Sequence, residues 1–191
     1  MQDNNGRLKM RKFVATLLFM LSVCAFINAQ TEELPIEVKH DRFKDWTSIT
    51  LGQNYMTIMF SKMRKQPQLM PSISYKGKTP PGLGVTVNLG FFSVNDSWKY
   101  LKSHDLYCLA DDQPIELPET NHRGEVMSSG SVLEVIHFDV SYETFEVLCK
   151  ASKLEFKLHL TEFKLSEKEQ TVLKQFKQVY EEEVKKHEKE K

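Results

Sequence analysis

The stretch that decides the fold is Gly130–Tyr180, GSVLEVIHFDVSYETFEVLCKASKLEFKLHLTEFKLSEKEQTVLKQFKQVY. Apolar residues occupy both parities over 132–140, which favours a central strand covered on both faces. Ser141 is then placed to cap a short helix over about 142–151. A second strand follows over 154–160, where apolar and polar residues alternate. The stretch therefore predicts strand, crossover helix and strand in succession.

The end of this stretch predicts a turn and a long helix. The apolar parity changes after residue 160, so Thr161 and Glu162 are expected to form a turn or a bulge. Ser166 and Glu169 have the spacing of a capping box, in which each side chain satisfies an amide at the start of a helix. Apolar residues at helical spacing then predict a C-terminal amphipathic helix over about 167–186 that must be buried against the sheet.

The residues before this stretch predict further strands. Alternation over 85–91 predicts a core strand, and Asp111-Asp112 predicts a two-residue hairpin turn. Tyr55–Phe60 is expected to be another strand, after a turn at 52–54. The whole pattern predicts a mainly β fold, an antiparallel two-layer β-sandwich of roughly eight to ten strands, with the short crossover helix and the C-terminal helix as its only helices.

Residues 1–29 have the pattern of an export signal. Arg11 and Lys12 precede an apolar run over 13–27, and Ala29 ends a stretch typical of a cleavage site. The run is shorter than the ~20 apolar residues of a membrane-spanning helix, so no stable span is expected after cleavage. We therefore expect a periplasmic or extracellular protein, although the sequence leaves cleavage itself open.

Two details of this signal leave alternatives. Translation from Met10 would give a more conventional signal than translation from Met1. Cys24 follows a sequence similar to a lipoprotein signal, but Val23 stands where such signals carry a small residue. We therefore expect no lipid anchor at Cys24.

Cleavage after residue 29 would leave 162 residues, which suits a flexible leader over 30–42 and a single domain over 43–187. That product would carry 22 basic and 25 acidic residues. Because nucleic-acid binding depends on neutralising phosphates, this balance argues against a nucleic-acid partner.

Only Cys108 and Cys149 lie beyond the predicted signal, and two buried free thiols are expected rather than a disulfide. A thiol site formed by Glu134, His137 and Cys149 is a conceivable alternative, but nothing in the sequence orients a base toward the thiol. Nucleophile and metal-ligand motifs are absent from the sequence, so no catalytic residue, metal site or cofactor is predicted.

The longest polar segment, Glu119–Gly124, is expected to be a surface loop. Loops on a rigid scaffold are where specific contacts usually form, so Asn121, His122 and Arg123 are the candidate binding residues.

Some residue groups have both a functional and a structural interpretation, and the structural one is expected for each. Four methionines, Met56, Met59, Met63 and Met70, could bind copper but suit irregular core packing. Three aromatic residues, Trp46, Trp98 and Tyr107, could stack on sugars, but Trp98 follows a turn and precedes a strand, which favours a core anchor. Asp111 and Asp112 could bind a divalent cation with Glu116 and Glu119, but turn geometry explains them.

Four segments resemble a loose group of small bacterial exported domains. They are DWTSIT (45–50), DDQPIEL (111–117), VLEVIHFDVSYETFEVLCKASKLEFKL (132–158) and FKLSEKEQTVLKQF (163–176). The resemblance implies an antiparallel β-sandwich with a C-terminal helix, and it carries over no functional residues.

Three functions remain open from the sequence. The first is an exported, non-catalytic binding or envelope-associated domain, whose partner could be an envelope protein or a glycan. The second is a secreted hydrolase of glycan or cell-wall material, which would need two carboxyl groups brought together by the fold. The third is a structural accessory that pairs with its partner through an edge strand.

Overall fold

Ten strands and three helices follow one another over residues 36–189, which are the residues that the computed structural model describes. The strands are β1 (Ile36–Asp41), β2 (Trp46–Leu51), β3 (Gln68–Lys76), β4 (Thr86–Asn95), β5 (Leu106–Ala110), β6 (Gln113–Ile115), β7 (Asn121–Val126), β8 (Val132–Ser141), β9 (Leu154–Leu158) and β10 (Thr161–Lys164). The helices are α1 (Gln53–Met63), α2 (Tyr142–Lys150) and α3 (Glu167–Glu188).

The strands form two antiparallel sheets, so the predicted mainly β fold is confirmed. One sheet has six strands in the order β1-β2-β3-β4-β8-β7, and the other has four in the order β10-β9-β5-β6. The longest pairing joins β4 to β8 over ten residues, from Thr86 opposite Ser141 to Asn95 opposite Val132. This pairing sets Leu89 opposite Phe138 on the buried face, as the alternation of apolar residues predicts.

The two sheets meet through aromatic rings. Phe91 of the six-stranded sheet contacts Phe156 and Phe163 of the four-stranded sheet edge-on, with ring centroids 4.9 and 5.3 Å apart. Burying a side chain of this size contributes about 1.5–3 kcal/mol. The inner faces of both sheets and one side of each helix therefore share a single hydrophobic core.

Helices α2 and α3 begin where the sequence predicts them. The Ser141 hydroxyl accepts a hydrogen bond from the Thr144 amide at 3.2 Å, and Ser166 forms the capping box with Glu169. Phe176 of α3 packs edge-on against a phenylalanine of α2 at 6.2 Å. Both predicted helices are confirmed, and the C-terminal one covers the core.

Helix α1 contradicts the prediction of a strand over Tyr55–Phe60. Tyr55, Met59 and Met63 follow one another at a spacing of four and are buried in the core. Both alternation and helical periodicity are compatible with so short an apolar run, and the contacts of the buried face decide in favour of the helix. Met59 and Met63 therefore serve as core residues of a helix.

Three further predictions about local structure are wrong. β1 pairs with β2 over six residues, so 36–41 form an edge strand within the expected flexible leader. The strand predicted over 154–160 ends at Leu158, and the turn falls at His159-Leu160 instead of Thr161-Glu162. The outer face of β8 is only half-buried, although the sequence favours a strand covered on both faces.

The predicted signal, including Cys24, lies outside the described residues. Within 36–189, no helix combines the length and the apolar character needed to cross a membrane.

Candidate functional site

A groove crosses the face of the six-stranded sheet that points away from the core. It has a volume of about 600 Å³ and receives residues from β2, β3, β4, β8 and β7. We call it the outer groove. Its lining consists of Thr50, Leu51, Met70, Pro71, Ser72, Asn88, Gly90, Phe92, Arg123, Val135 and His137.

The floor of the outer groove is apolar and is shaped by Gly90. A Cβ at this position would lie 3.0 Å from the Phe92 ring and 3.7 Å from the Val135 side chain. The Phe92 ring and the Val135 side chain therefore lie directly against the backbone of Gly90 and form this floor. Gly90 lies in the middle of a strand, where glycine costs stability, and its bare backbone allows the close approach of the Phe92 ring.

Polar side chains stand around this floor. The Asn88 amide donates a hydrogen bond to the Asp139 carboxylate at 2.8 Å, and the Ser72 hydroxyl donates one to the Asn88 carbonyl oxygen at 3.4 Å. Arg123 differs from them because its exposed guanidinium has no ion-pair or hydrogen-bond partner among residues 36–189. Its five N–H donors are free to bind an anion.

The positive charge of the outer groove comes from Arg123 alone at neutral pH. Partial burial lowers the pKa of His137, and the nearby Arg123 charge lowers it further, while Asp139 acts in the opposite direction. Since the ordinary pKa of histidine is about 6.5, His137 is neutral at pH 7. It offers a hydrogen-bonding imidazole next to a fixed cation.

The structure divides the three predicted binding residues between two faces of a strand. Asn121, His122 and Arg123 belong to β7 and not to a loop, which corrects the prediction. Asn121 and Arg123 lie opposite His137 and Val135, on the face of the outer groove. His122 points the other way, because side chains alternate along a strand.

His122 contacts a fully buried carboxylate, Glu134 of β8. The two carboxylate oxygens accept four hydrogen bonds: from the Asn95 amide (2.9 Å), the Lys99 backbone N–H (2.9 Å), the Tyr100 backbone N–H (2.8 Å) and the His122 ring (3.1 Å). A buried carboxylate is costly unless its oxygens are satisfied in this way. Glu134 thus fixes the segment after β4 and the edge strand β7 to β8.

Trp98 packs against β7 beside the polar cluster of Glu134 and His122. Its ring centroid lies 5.9 Å from that of His122, and the His104 ring contacts the same imidazole in a tilted arrangement at 5.8 Å. A Cβ on Gly124 would come within 2.5 Å of the Trp98 ring, so only glycine lets the indole lie against the strand. These contacts assign the cluster a structural role.

Cys108 and Cys149 are free and buried, as the sequence predicts for these two residues. Burial raises the pKa of both thiols to about 12. The structure does not bring Glu134, His137 and Cys149 together as a thiol site. Glu134 binds His122 instead of His137, and the Cys149 thiol donates a hydrogen bond to the Leu173 carbonyl.

Other polar groups considered in the sequence have structural partners. Asp111 and Asp112 both adopt positive φ in the hairpin turn, which confirms that turn. The Asp111 carboxylate also accepts hydrogen bonds from the amides of Ser152 and Lys153, and Asp112 pairs with the Lys153 amine. No three histidine, cysteine or acidic residues within the described range are grouped so that they could hold a metal ion.

Asn88, Gly90 and Phe92 are site residues that the sequence did not indicate. The one available signal was Gly90, because an isolated glycine within a strand pattern suggests a close approach.

No model of a known protein family matches the chain, and no curated protein sequence matches it significantly. The resemblance to exported bacterial β-sandwich domains therefore stays a prediction from the sequence.

Proposed function

We propose that this protein is an exported, non-catalytic binding domain whose outer groove holds an anionic ligand with an apolar body. The observation that carries the proposal is Arg123, an unpaired cation beside an apolar floor. Sites that hold small ligands combine an apolar lining with a few polar groups that fix orientation. The export signal predicted over 1–29 supports the location.

The absence of a catalytic arrangement in the outer groove supports binding over catalysis. No carboxylate, thiol or lysine is among its lining residues. His137 is its one titratable group near neutral pH, and among residues 36–189 it forms no hydrogen bond with a hydroxyl or thiol, since the Ser72 hydroxyl of the lining binds Asn88. A general base would need a hydroxyl or thiol within reach, as in nucleophilic enzymes.

Titration with anilinonaphthalene sulfonate, a dye with an apolar body and a permanent negative charge, tests the proposal. Its fluorescence gives the affinity, and amide NMR shifts give the location. We expect shifts at Asn88, Gly90 and His137. Arg123→Gln should weaken binding about tenfold, because a charge-assisted hydrogen bond is lost.

Two further variants make this result specific. Gly90→Val places a side chain on the floor of the groove and should lower the affinity for the dye. Lys65→Gln removes an exposed cation outside the groove and should leave that affinity unchanged. Unchanged affinity in both Arg123→Gln and Gly90→Val would overturn the proposal, as would NMR shifts confined to other surfaces.

The hydrolase alternative has one observation in its favour. Asp105 and Glu119 line the same hollow beside β5, together with His104. Asp105 accepts a hydrogen bond from the Ser103 hydroxyl at 2.9 Å. Turnover of a glycan substrate that is abolished by Asp105→Asn, with the fold intact, would favour the hydrolase over the binding domain.

A second pair of carboxylates does not favour that alternative. Glu155 and Glu162 line a hollow on the four-stranded sheet, but each forms an ion pair with a lysine. Hydrogen bonds from Lys153 and Lys164 lower the pKa of Glu155, whereas a general acid needs a raised one. The edge-strand alternative is weakened by Arg123 and Glu125 in β7, because charged side chains on an edge oppose pairing.

A further inference from the structure

Two loops leave the same end of the six-stranded sheet and are bonded to each other. One is the β1–β2 loop over 42–45, and the other is the β3–β4 loop over 77–85. The Gly77 amide donates a hydrogen bond to the Asp45 carbonyl at 2.8 Å, and the Thr47 hydroxyl donates one to the Gly77 carbonyl at 2.5 Å. We call residues 42–46 and 76–85 the loop end.

The loop end holds large apolar side chains in water. Phe43 is 86% exposed, and Trp46 and Leu83 are 44% and 45% exposed. Phe43 is held in this position by the turn, since the Asp41 carboxylate accepts hydrogen bonds from the amides of Phe43 (2.9 Å) and Lys44 (3.3 Å). The fold therefore fixes the backbone that projects the ring outward.

Basic side chains surround these apolar ones. Arg42, Lys44, Lys76 and Lys78 form no ion pair with a carboxylate within residues 36–189, and the Arg42 guanidinium lies 4.8 Å over the Phe43 ring. Three carboxylates, fewer than the basic groups, lie near this end of the sheet, and one of them is Glu183 of α3, whose charge acts on Tyr75. Asp41 is engaged by the turn, and Asp45 lies 3.8 Å from the His40 ring. The loop end therefore has an excess of positive charge.

We propose that the loop end docks on an anionic lipid surface. Phe43 enters the boundary between headgroups and acyl chains, and the four basic residues bind the lipid phosphates. An exposed aromatic ring among lysine and arginine side chains suits this boundary, where apolar burial and attraction to anionic lipid act together. The proposal rests on residues outside the outer groove and is independent of the ligand proposed there.

Co-sedimentation of the full chain with lipid vesicles tests the proposal. We expect binding to vesicles that contain phosphatidylglycerol, less binding to pure phosphatidylcholine, and a loss of binding as salt screens the charges. Phe43→Ser should weaken it about tenfold, since most of the apolar insertion is lost. The double variant Lys44→Gln/Lys78→Gln should weaken it about thirtyfold, because each of the two charges contributes roughly fivefold near an anionic surface.

Two matched control variants test whether these effects are specific to the loop end. Phe60→Ser removes a partly exposed aromatic from α1, and Lys65→Gln removes an exposed cation, so both should leave vesicle binding unchanged. Amide hydrogen exchange should slow at 42–46 and 77–85 on vesicles. This readout is local, so residues 1–29 do not obscure it when they also contact lipid.

Two results would contradict docking of the loop end on lipid. Vesicle binding that is the same in Phe43→Ser and in the wild type, with no protection of the loop end, would overturn the proposal. Protection by inorganic phosphate alone, without vesicles, would also overturn it and indicate a free-anion site. Arg123→Gln should leave vesicle binding unchanged and Phe43→Ser should leave dye binding unchanged, so either proposal can fail without the other.

Discussion

At the scale of single residues, Glu134 shows how a buried charge becomes a structural element. It has no exposed surface, yet each of its carboxylate oxygens accepts two hydrogen bonds from residues distant in sequence. Two of the donors are backbone amides of Lys99 and Tyr100, which no strand or helix satisfies. Because orphaned buried amides are costly, the side chain and the segment after β4 depend on each other.

Replacing this carboxylate should therefore destabilise the protein. Glu134→Gln turns one acceptor oxygen into a donor that faces another donor, and we expect the free energy of unfolding to fall by about 2–3 kcal/mol. Urea denaturation measures this change. Glu162→Gln, an exposed carboxylate, is the control and should shift the free energy by less than about 0.5 kcal/mol. Equal effects of the two substitutions would contradict the structural role of Glu134.

His137 gives a second residue-scale prediction, on pH. Its pKa is lowered in the folded protein, so the unfolded chain binds this proton at higher pH than the folded one. Its contribution to the free energy of unfolding is absent above pH 7 and becomes destabilising as pH falls below about 6.5. His137→Gln should remove this contribution.

The measurement compares urea denaturation of wild type and His137→Gln between pH 8 and pH 5. We expect a constant difference at the upper end and a relative gain for the variant at the lower end. Comparison of the two proteins cancels the other titrating groups. A difference that does not change with pH, or that changes in the opposite sense, would exclude this account of His137.

At the scale of elements, the correct prediction of helix α3 and the wrong prediction for helix α1 depend on different kinds of signal. Helix α3 is predictable because Ser166, Glu169 and the apolar stripe are local signals that agree with one another. Helix α1 lacks such signals. Its N-cap residue is Gly52, which has no side chain to cap the helix, and its short run of apolar residues fits a strand as well as a helix. Its identity is decided by Tyr55, Met59 and Met63 packing into the core.

The capping box of α3 should contribute measurably to stability. Ser166→Ala removes the hydroxyl that accepts a hydrogen bond from the Glu169 amide. We expect the free energy of unfolding to fall by about 1 kcal/mol. Thermal or urea denaturation measures it. Lys174→Ala, at an exposed position of the same helix, is the control and should have little effect. A cap loss no larger than that of the control would mean that tertiary packing alone fixes the start of α3.

At the scale of the whole molecule, the six-stranded sheet has two faces with different roles. The inner face packs on the second sheet and on the helices, and its register sets Phe91, Phe138 and Glu134 in the interior. The outer face combines the small or polar residues Ser72, Asn88 and Gly90 with apolar ones of β3 and β4, and the outer groove crosses it. The loop end lies at one end of the same sheet. The two proposals therefore assign ligand binding and surface docking to separate parts of one sheet.

The amino-acid sequence by itself determined the fold class, strands β4 and β8, helices α2 and α3 and the turn at Asp111-Asp112. All of these depend on periodicity, caps or turn chemistry within a few residues of the chain. Only the tertiary structure decided that 53–63 is helical and that 121–126 is an edge strand. It also decided that Arg123 shares a groove with His137 while His122 binds Glu134. These facts depend on which strands pair and in what register, because a shift of one residue exchanges the two faces of a strand. No pattern within a single segment contains that information.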